Sequence, residues 1–310
     1  YKTYTTEGNL NNHIGVPLTL LKIKKDAEIA VIEMGANHQK EIESYCSYTM
    51  PTHGIITNCG KAHLEGFGGE EGVKKGKGEL FQYVRETKGT AFINTDYDYL
   101  LSMAAGIENT IYYGETNGDI TGKIVRDDTF LEVSVTKGSD LPSIKTQLVG
   151  GYNLPNILTA VCIAKTFKVP DAGIREALES YTPSNSRSQL LQLKTNKIIL
   201  DAYNANPTSM KAAIENFAHM EGQKKILMLG GMMELGSSSL KEHEELVELI
   251  GRYSWYEVVL VGKDFRNLPP DIKHFQNASK VKEWFVQQNF EEAQILIKGS
   301  RSMQMEKILE

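Results

Sequence analysis

Five stretches of this chain place chemically capable side chains directly after an apolar run of β-strand character. Glu33 follows Ala27–Ile32 and leads into Gly35-Ala36-Asn37-His38, and Asn58 follows His53–Thr57 ahead of His63-Leu64-Glu65. Asp201 follows Lys197–Leu200 and opens Tyr203-Asn204-Ala205-Asn206-Pro207. Gly230-Gly231 follows Lys225–Leu229, and Lys298-Gly299-Ser300-Arg301-Ser302 follows Gln294–Ile297. Ligands of open α/β sheets sit beyond the carboxyl ends of the strands. Five polar or glycine-rich exits therefore predict one face that holds a large, charged ligand.

Glu33 is the sharpest of these residues. A lone carboxylate ending an apolar strand is costly to desolvate unless it is paired or bound to metal. With His63, at the end of a strand expected to lie beside it, Glu33 could share a magnesium ion with substrate phosphates, because Mg2+ keeps several waters and needs few protein ligands. An edge glutamate and a satisfied structural histidine are the plain alternative. Lys74, Lys75 and Lys77 fall on the helix that follows, where a solvated face is the ordinary reading of a lysine cluster. In Gly150-Gly151-Tyr152-Asn153-Leu154-Pro155-Asn156, Asn153 suits a helix N-cap and Pro155 its first turn. Asn156 is then left to reach outward with an amide matched to an adenine edge. Arg187 sits where a phosphate could be reached across a cleft, though a surface arginine is the default. Gly230-Gly231-Met232-Met233-Glu234-Leu235-Gly236 does not spell G-x-G-x-x-G, and no acidic residue ends the next strand, so a dinucleotide site is excluded.

The elements that position these residues alternate. Glu41–Tyr48 reads as a helix, His53–Thr57 as a strand, Val73–Tyr83 as a helix and Gly89–Ile93 as a strand. That rhythm predicts a parallel sheet with crossover helices. Ile111–Val149 changes to short alternating strands, an antiparallel edge, and Pro155–Lys168 is a helix. The polar stretch Thr182-Pro183-Ser184-Asn185-Ser186 marks a domain boundary. After it the rhythm restarts: strands at Lys197–Asp201, Lys225–Gly230, Val258–Gly262 and Gln294–Lys298, helices at Ser209–Met220, Leu240–Tyr253 and Ser279–Gln288. Two α/β units are expected.

A chain of 310 residues with 24% charged residues is ordinary for a globular protein, and a formal net charge of −5 gives no general pull toward nucleic acid or an anionic membrane. A phosphate site must therefore be local. No apolar run approaches the roughly 18–20 residues of a membrane helix. Cys46, Cys59 and Cys162 show no C-x-x-C spacing and read as three buried, reduced thiols of a cytoplasmic protein. The first residue is Tyr1, not Met, and Tyr1–Thr6 reads as a strand, so the chain is expected to be part of a longer protein.

Taken together, Thr5–Pro17 (TTEGNLNNHIGVP), Val31–His38 (VIEMGANH), Ala62–Glu79 (AHLEGFGGEEGVKKGKGE), Asp201–Pro207 (DAYNANP), Leu229–Gly236 (LGGMMELG) and Lys298–Ser302 (KGSRS) resemble the Mur ligase family. The resemblance covers nearly the whole chain, and several stretches are particular to members that add D-alanyl-D-alanine to UDP-N-acetylmuramoyl-tripeptide. It implies an α/β protein: residues 1–186 as a central, mostly parallel-sheet ATPase-type domain, incomplete at its N-terminus, and residues 187–310 as a Rossmann-like C-terminal domain. The implied activity is ATP-dependent amide-bond formation through an acyl phosphate, with ATP and Mg2+ as cofactors, in a cytoplasmic monomer with no nucleic-acid or membrane partner.

The resemblance also implies roles. Glu33 and His63 would be magnesium ligands, and Lys77 would match a carbamylated lysine able to hold a second magnesium. Asn153 and Asn156 would bind nucleotide, Arg187 the γ-phosphate, and Asp201 the ATP as an acidic site residue. Tyr203, Asn204 and Asn206 would line the nucleotide side of the cleft. Asn9, Asn11 and Asn12 would face the muramoyl peptide, with Ser300 and Arg301 near the incoming dipeptide. Lys77, Arg187 and His63 would be the catalytic set.

Two departures stand out. Tyr152 occupies a position where the family commonly has His. No G-x-x-x-x-G-K-[ST] phosphate loop occurs in the chain; in the family that loop lies just upstream of the segment matching Tyr1, so the chain alone is not expected to turn over. The rivals are another Mur-type or folylpolyglutamate-type ligase, against which the NLNNHIG and ELG stretches argue, and a non-catalytic nucleotide-binding module.

Overall fold

β-Prone residues at the start form a short strand, β1 (Thr3–Thr5), in a computed structural model that describes residues 1–61, 63–184 and 186–310. Ala62, in the histidine-bearing motif, and Asn185, in the expected boundary, lie outside the described residues. The chain folds as two units, residues 1–113 with 117–119 and residues 114–116 with 120–310.

The first unit continues with α1 (Gly15–Lys22), β2 (Ile29–Val31), α2 (Glu41–Thr49), β3 (His53–Ile55), α3 (Leu64–Phe67), α4 (Glu70–Glu86), β4 (Thr90–Asn94), α5 (Asp98–Met103) and β5 (Asn109–Gly114). β3 and β4 pair in parallel, as the strand–helix rhythm predicts, whereas β5, which runs into the stretch expected to form an antiparallel edge, also pairs in parallel with β4. α4 turns Val73, Phe81 and Val84 inward, all fully buried.

β2 departs from expectation. Instead of a buried strand over Ala27–Met34, only Ile29–Val31 forms a ladder, and Val31 is 54% exposed. β2 takes its hydrogen bonds from β1, while β3 takes its own from β4, so the strands leading to Glu33 and His63 are not neighbours in one sheet.

The second unit opens with β6 (Ile120–Arg126), β7 (Glu132–Lys137) and β8 (Ile144–Lys145), whose antiparallel pairing follows the short alternation of the sequence. Then come α6 (Leu154–Thr166), α7 (Asp171–Ser180), β9 (Gln189–Leu193), β10 (Asn196–Asp201), α8 (Pro207–His219), β11 (Lys225–Gly230), α9 (Ser239–Ile250), β12 (Glu257–Val261), β13 (Lys273–Phe275), α10 (Ala278–Gln288) and β14 (Gln294–Lys298). The last nine of these build a Rossmann-like unit with strand order β13-β12-β11-β14-β10-β9, parallel except for β9. Helices on both faces explain the near-continuous apolar runs of the central strands. Ile198, Leu200, Ile226, Met228, Val259, Ile295 and Ile297 share one core cluster, and Ile199, Leu227, Leu229, Leu260 and Leu296 are buried among them in alternation. β14, last in sequence, inserts between β10 and β11. The exits of β10, β14 and β11 are therefore side by side, at the kind of topological switch where such sheets bind ligands.

Candidate active site

In the first unit, backbone geometry gathers the loops after β2 and β3 although the strands are apart. Gly66, in α3, lies so close to the Asn37 carbonyl that a Cβ there would come within 2.2 Å of its oxygen. Any side chain would push the two loops apart, so glycine is required by close approach. Glu33 is exposed rather than desolvated, because β2 is covered on too little of its surface to bury it. Its Oε1 accepts from the Asn11 Nδ2 at 2.7 Å, and its backbone N donates to Thr6 Oγ1 at 2.9 Å. His63 adopts a left-handed conformation, φ 55°, at the start of α3.

Lys77 sits half-buried on α4, and its ammonium donates to the Asn58 carbonyl at 2.6 Å. Burial depresses its pKa, with the neighbouring Cys59 thiol opposing weakly. A lysine eased toward its neutral form is a better nucleophile. Lys74 differs: it pairs with Glu71 on the helix surface. Among the described residues no three His, Cys, Asp or Glu side chains form a metal cage. An exposed carboxylate and an imidazole nonetheless fit an ion that keeps most of its own water.

The three asparagines of the early loop divide. Asn11 braces Glu33, and its carbonyl accepts from Gly35 N at 2.7 Å. Asn12 Oδ1 accepts from Ile14 N and Gly15 N, which starts α1. Asn9 is exposed, and its carbonyl accepts from Asn11 N at 2.8 Å.

In the second unit, Asp201 ends β10 beside Lys298 at the end of β14. The Lys298 ammonium donates to Asp201 Oδ2 at 2.6 Å and to the Asn204 carbonyl at 3.3 Å, with Lys298 only 2% exposed. Asp201 Oδ1 accepts from Ser188 N at 3.0 Å. Both carboxylate oxygens are thus occupied. Asn206 is committed to structure: its Oδ1 accepts from Ser209 N while Ser209 Oγ accepts from Asn206 N, a complete capping box on α8. Asn204 is exposed.

Gly230 and Gly299 bring two exits into backbone contact, since a Cβ on Gly299 would lie 3.0 Å from the Gly230 Cα. Ser300 N donates to the Gly231 carbonyl, and Ser300 is 1% exposed, so its hydroxyl is turned inward toward Ser302 Oγ. Of the pair expected near the dipeptide, only Arg301 is exposed, and it reaches Glu306 at 3.3 Å.

Asn153 occupies the N-cap position of α6 with Pro155 in the first turn, but its side chain does not cap. Its Nδ2 donates to the Val149 carbonyl and its Oδ1 accepts from Asn156 Nδ2, so Asn156 is tied back rather than left to reach outward. Arg187 is exposed, its guanidinium 3.8 Å over the Tyr203 ring. It lies between Ser186 at φ 56° and Ser188 at φ 47°. Two non-glycine residues in the left-handed region store strain of about 1–3 kcal/mol each and persist only where neighbours fix them. Those neighbours include residues that sequence reasoning missed. Lys298 as the partner of Asp201, Ser188, and Asp127, which accepts from Gly151 N and Asn216 Nδ2, carry no local pattern to reveal them.

Residues 1–164 match the family model described as the Mur ligase middle domain, and residues 186–301 that of the Mur ligase, glutamate ligase domain. The UDP-N-acetylmuramoyl-tripeptide–D-alanyl-D-alanine ligase of Escherichia coli K12 is 33% identical over 322 residues, covering 99% of this chain and 70% of that protein. Crystal structure I of MurF from Acinetobacter baumannii superposes with a TM-score of 0.89 at 29% identity, over 99% of this chain and 69% of that one. The MurF ligase of Thermotoga maritima in complex with ADP gives a TM-score of 0.89 at 26% identity, over 99% and 72%.

Proposed function

This chain belongs to the Mur ligase family, and we propose that it adds D-alanyl-D-alanine to UDP-N-acetylmuramoyl-tripeptide in the synthesis of a peptidoglycan precursor. It is an ATP-dependent ligase that forms an amide bond. The observation that carries the substrate assignment is the match to the E. coli ligase along 99% of the chain. The clustering of the Asp201, Gly230 and Lys298 exits at one end of the C-terminal sheet supports it. We propose the boundary between the central and C-terminal domains at Ser186–Arg187.

The chemistry follows from the groups present. The carboxylate of the tripeptide attacks the γ-phosphorus, ADP leaves, and the amine of the dipeptide then displaces phosphate from the acyl carbon, losing a proton as the amide forms. Arg187, stacked on Tyr203, offers a planar cation to the transferring phosphoryl group, where electrostatic stabilisation does most of the work. Asn153 and Asn156 hold the nucleotide with the amide capacity left after their mutual bond, beside Asp201, Tyr203 and Asn204. Asn9 faces the peptide precursor, and Arg301 offers a fork that matches the dipeptide carboxylate.

Glu33 and His63 would hold magnesium, which when bound neutralises phosphate charge. The Lys77 amine, reacting with carbon dioxide and releasing a proton, would gain a carboxylate that joins them. The protein acts as a monomer in the cytoplasm.

The test is phosphate release from ATP by the full-length gene product, with the tripeptide precursor present and D-alanyl-D-alanine added or withheld. Release that needs both substrates supports the assignment. Release with a different amine moves the protein to a sister ligase, and none from folded protein leaves a nucleotide-binding module.

A further inference from the structure

Arg187 stands on a strained segment, and the strain has identifiable anchors. On one side the Ser186 carbonyl accepts from Tyr203 N at 3.1 Å. On the other, Ser188 is held twice: its N donates to Asp201 Oδ1 at 3.0 Å, and its hydroxyl bonds the Tyr152 hydroxyl at 2.9 Å. Ser188 is only 8% exposed, so neither bond is easily replaced by water. Asp201 is fixed in turn by the buried Lys298. Tyr152 is fixed by its place in the turn ahead of α6, where Gly151 N donates to Asp127 at 2.7 Å and Asn216 of α8 donates to the same oxygen at 2.9 Å.

Tyr152 lies in the segment matching the middle-domain model and Ser188 in that matching the C-terminal model, yet both belong to one unit of the fold. The phenol is held neutral, since burial pushes its pKa up, followed by the nearby Asp201 charge. A neutral hydroxyl pair gives direction without adding charge beside a phosphate site.

We infer that Tyr152 and Ser188 are positioning residues for Arg187: their hydroxyl–hydroxyl bond holds the left-handed Ser186–Ser188 segment so that the guanidinium lies over Tyr203, aimed at the γ-phosphate. This rests on the reading of Arg187 as the γ-phosphate residue. The bond must then affect recognition of a triphosphate and leave a diphosphate nearly untouched.

Titration calorimetry of the full-length gene product with the non-hydrolysable triphosphate AMP-PNP and with ADP, both with Mg2+, separates the possibilities. Tyr152→Phe and Ser188→Ala each remove one hydroxyl, Arg187→Ala removes the cation, and Arg187→Ala/Tyr152→Phe joins the two. Thermal melts establish that each variant is folded, and Ser188→Ala serves if Tyr152→Phe is not. The expected result is a fall of about three- to tenfold in the AMP-PNP over ADP preference in each hydroxyl variant, the size of one hydrogen bond. ADP affinity should hold, and Tyr152→Phe should add nothing once Arg187 is gone. Equal losses for both nucleotides, or the same loss in the Arg187→Ala background, would mean a merely structural bond and overturn the inference. A preference that falls in Arg187→Ala but not in either hydroxyl variant also overturns it, while leaving the role of Arg187 intact. A preference that Arg187→Ala does not change removes the γ-phosphate reading and this inference with it.

Discussion

Lys77 shows how far one side chain can be read from sequence. Three lysines on a helix look alike as letters, and surface solvation is the ordinary fate of such a cluster. Only packing separates Lys74, paired with Glu71 at the surface, from Lys77, half-buried against the Asn58 carbonyl. Burial depresses the Lys77 pKa below the ordinary 10.5. A lysine with a depressed folded-state pKa contributes stability that is present above the unfolded value and lost as pH falls through the folded one. Near neutral pH the charged form therefore strains the fold. In carbon-dioxide-free buffer, Lys77→Met should be more stable than the unaltered protein near neutral pH. That advantage should shrink as pH climbs toward 10.5. Urea midpoints of both proteins across this range check it; a constant difference would mean that Lys77 is not electrostatically strained. Glu33 gives the opposite lesson, because its exposure contradicts the desolvation argued from its apolar neighbours. Strand burial depends on what lies on both sides of the strand, which the strand's own residues do not encode.

At the scale of elements, the long periodic segments were legible and the short or edge segments were not. α4, α6, α8 and the four central strands of the C-terminal sheet stand within a few residues of their sequence-based positions, since apolar periodicity reports directly on one-sided or two-sided burial. β9 and β13 were not expected. β9 is an antiparallel edge strand and β13 is three residues long, so neither carries a full apolar run. Helix starts also mislead when judged by residue type alone. Asn153 has the right identity for a cap and spends its amide on Val149 and Asn156 instead, whereas Asn206, expected in the nucleotide cleft, forms the capping box of α8. Asn206→Ala should destabilise the protein by about 1 kcal/mol, the usual value of a lost cap. Chemical denaturation measures that loss, and a stability unchanged by the substitution would return Asn206 to the ligand side of the loop.

For the whole molecule, the restart of strand–helix alternation after Ser186 announces the C-terminal Rossmann-like sheet, but the contacts that join residues 120–186 to the chain beyond it, within one unit of the fold, are silent in the sequence. They run between Asp127 and Asn216 and between Tyr152 and Ser188, pairs set by topology and not by local pattern. Their consequence is a division of labour along the chain. Every residue assigned to the nucleotide, from Asn153 through Asn204, lies in the unit containing residues 120–310, whereas Glu33, His63 and Lys77 lie in that containing residues 1–113. On those assignments the nucleoside and the metal are recognised by different units, and their binding can be separated by choice of ligand. Ligand that binds only the folded state stabilises what it touches, by about 2.7 kcal/mol at a hundredfold excess over Kd. ADP without metal should therefore slow amide hydrogen exchange at residues 150–156 and 201–206 and leave residues 33–38 and 63–77 as they were. Mg2+ should slow exchange at residues 33–38 and 63–77, which carry the carboxylate and imidazole proposed as its ligands. Protection of the first unit by metal-free ADP would mean that the nucleoside itself is read there, and the assignment of Asn153, Asn156 and Asp201 would have to be given up.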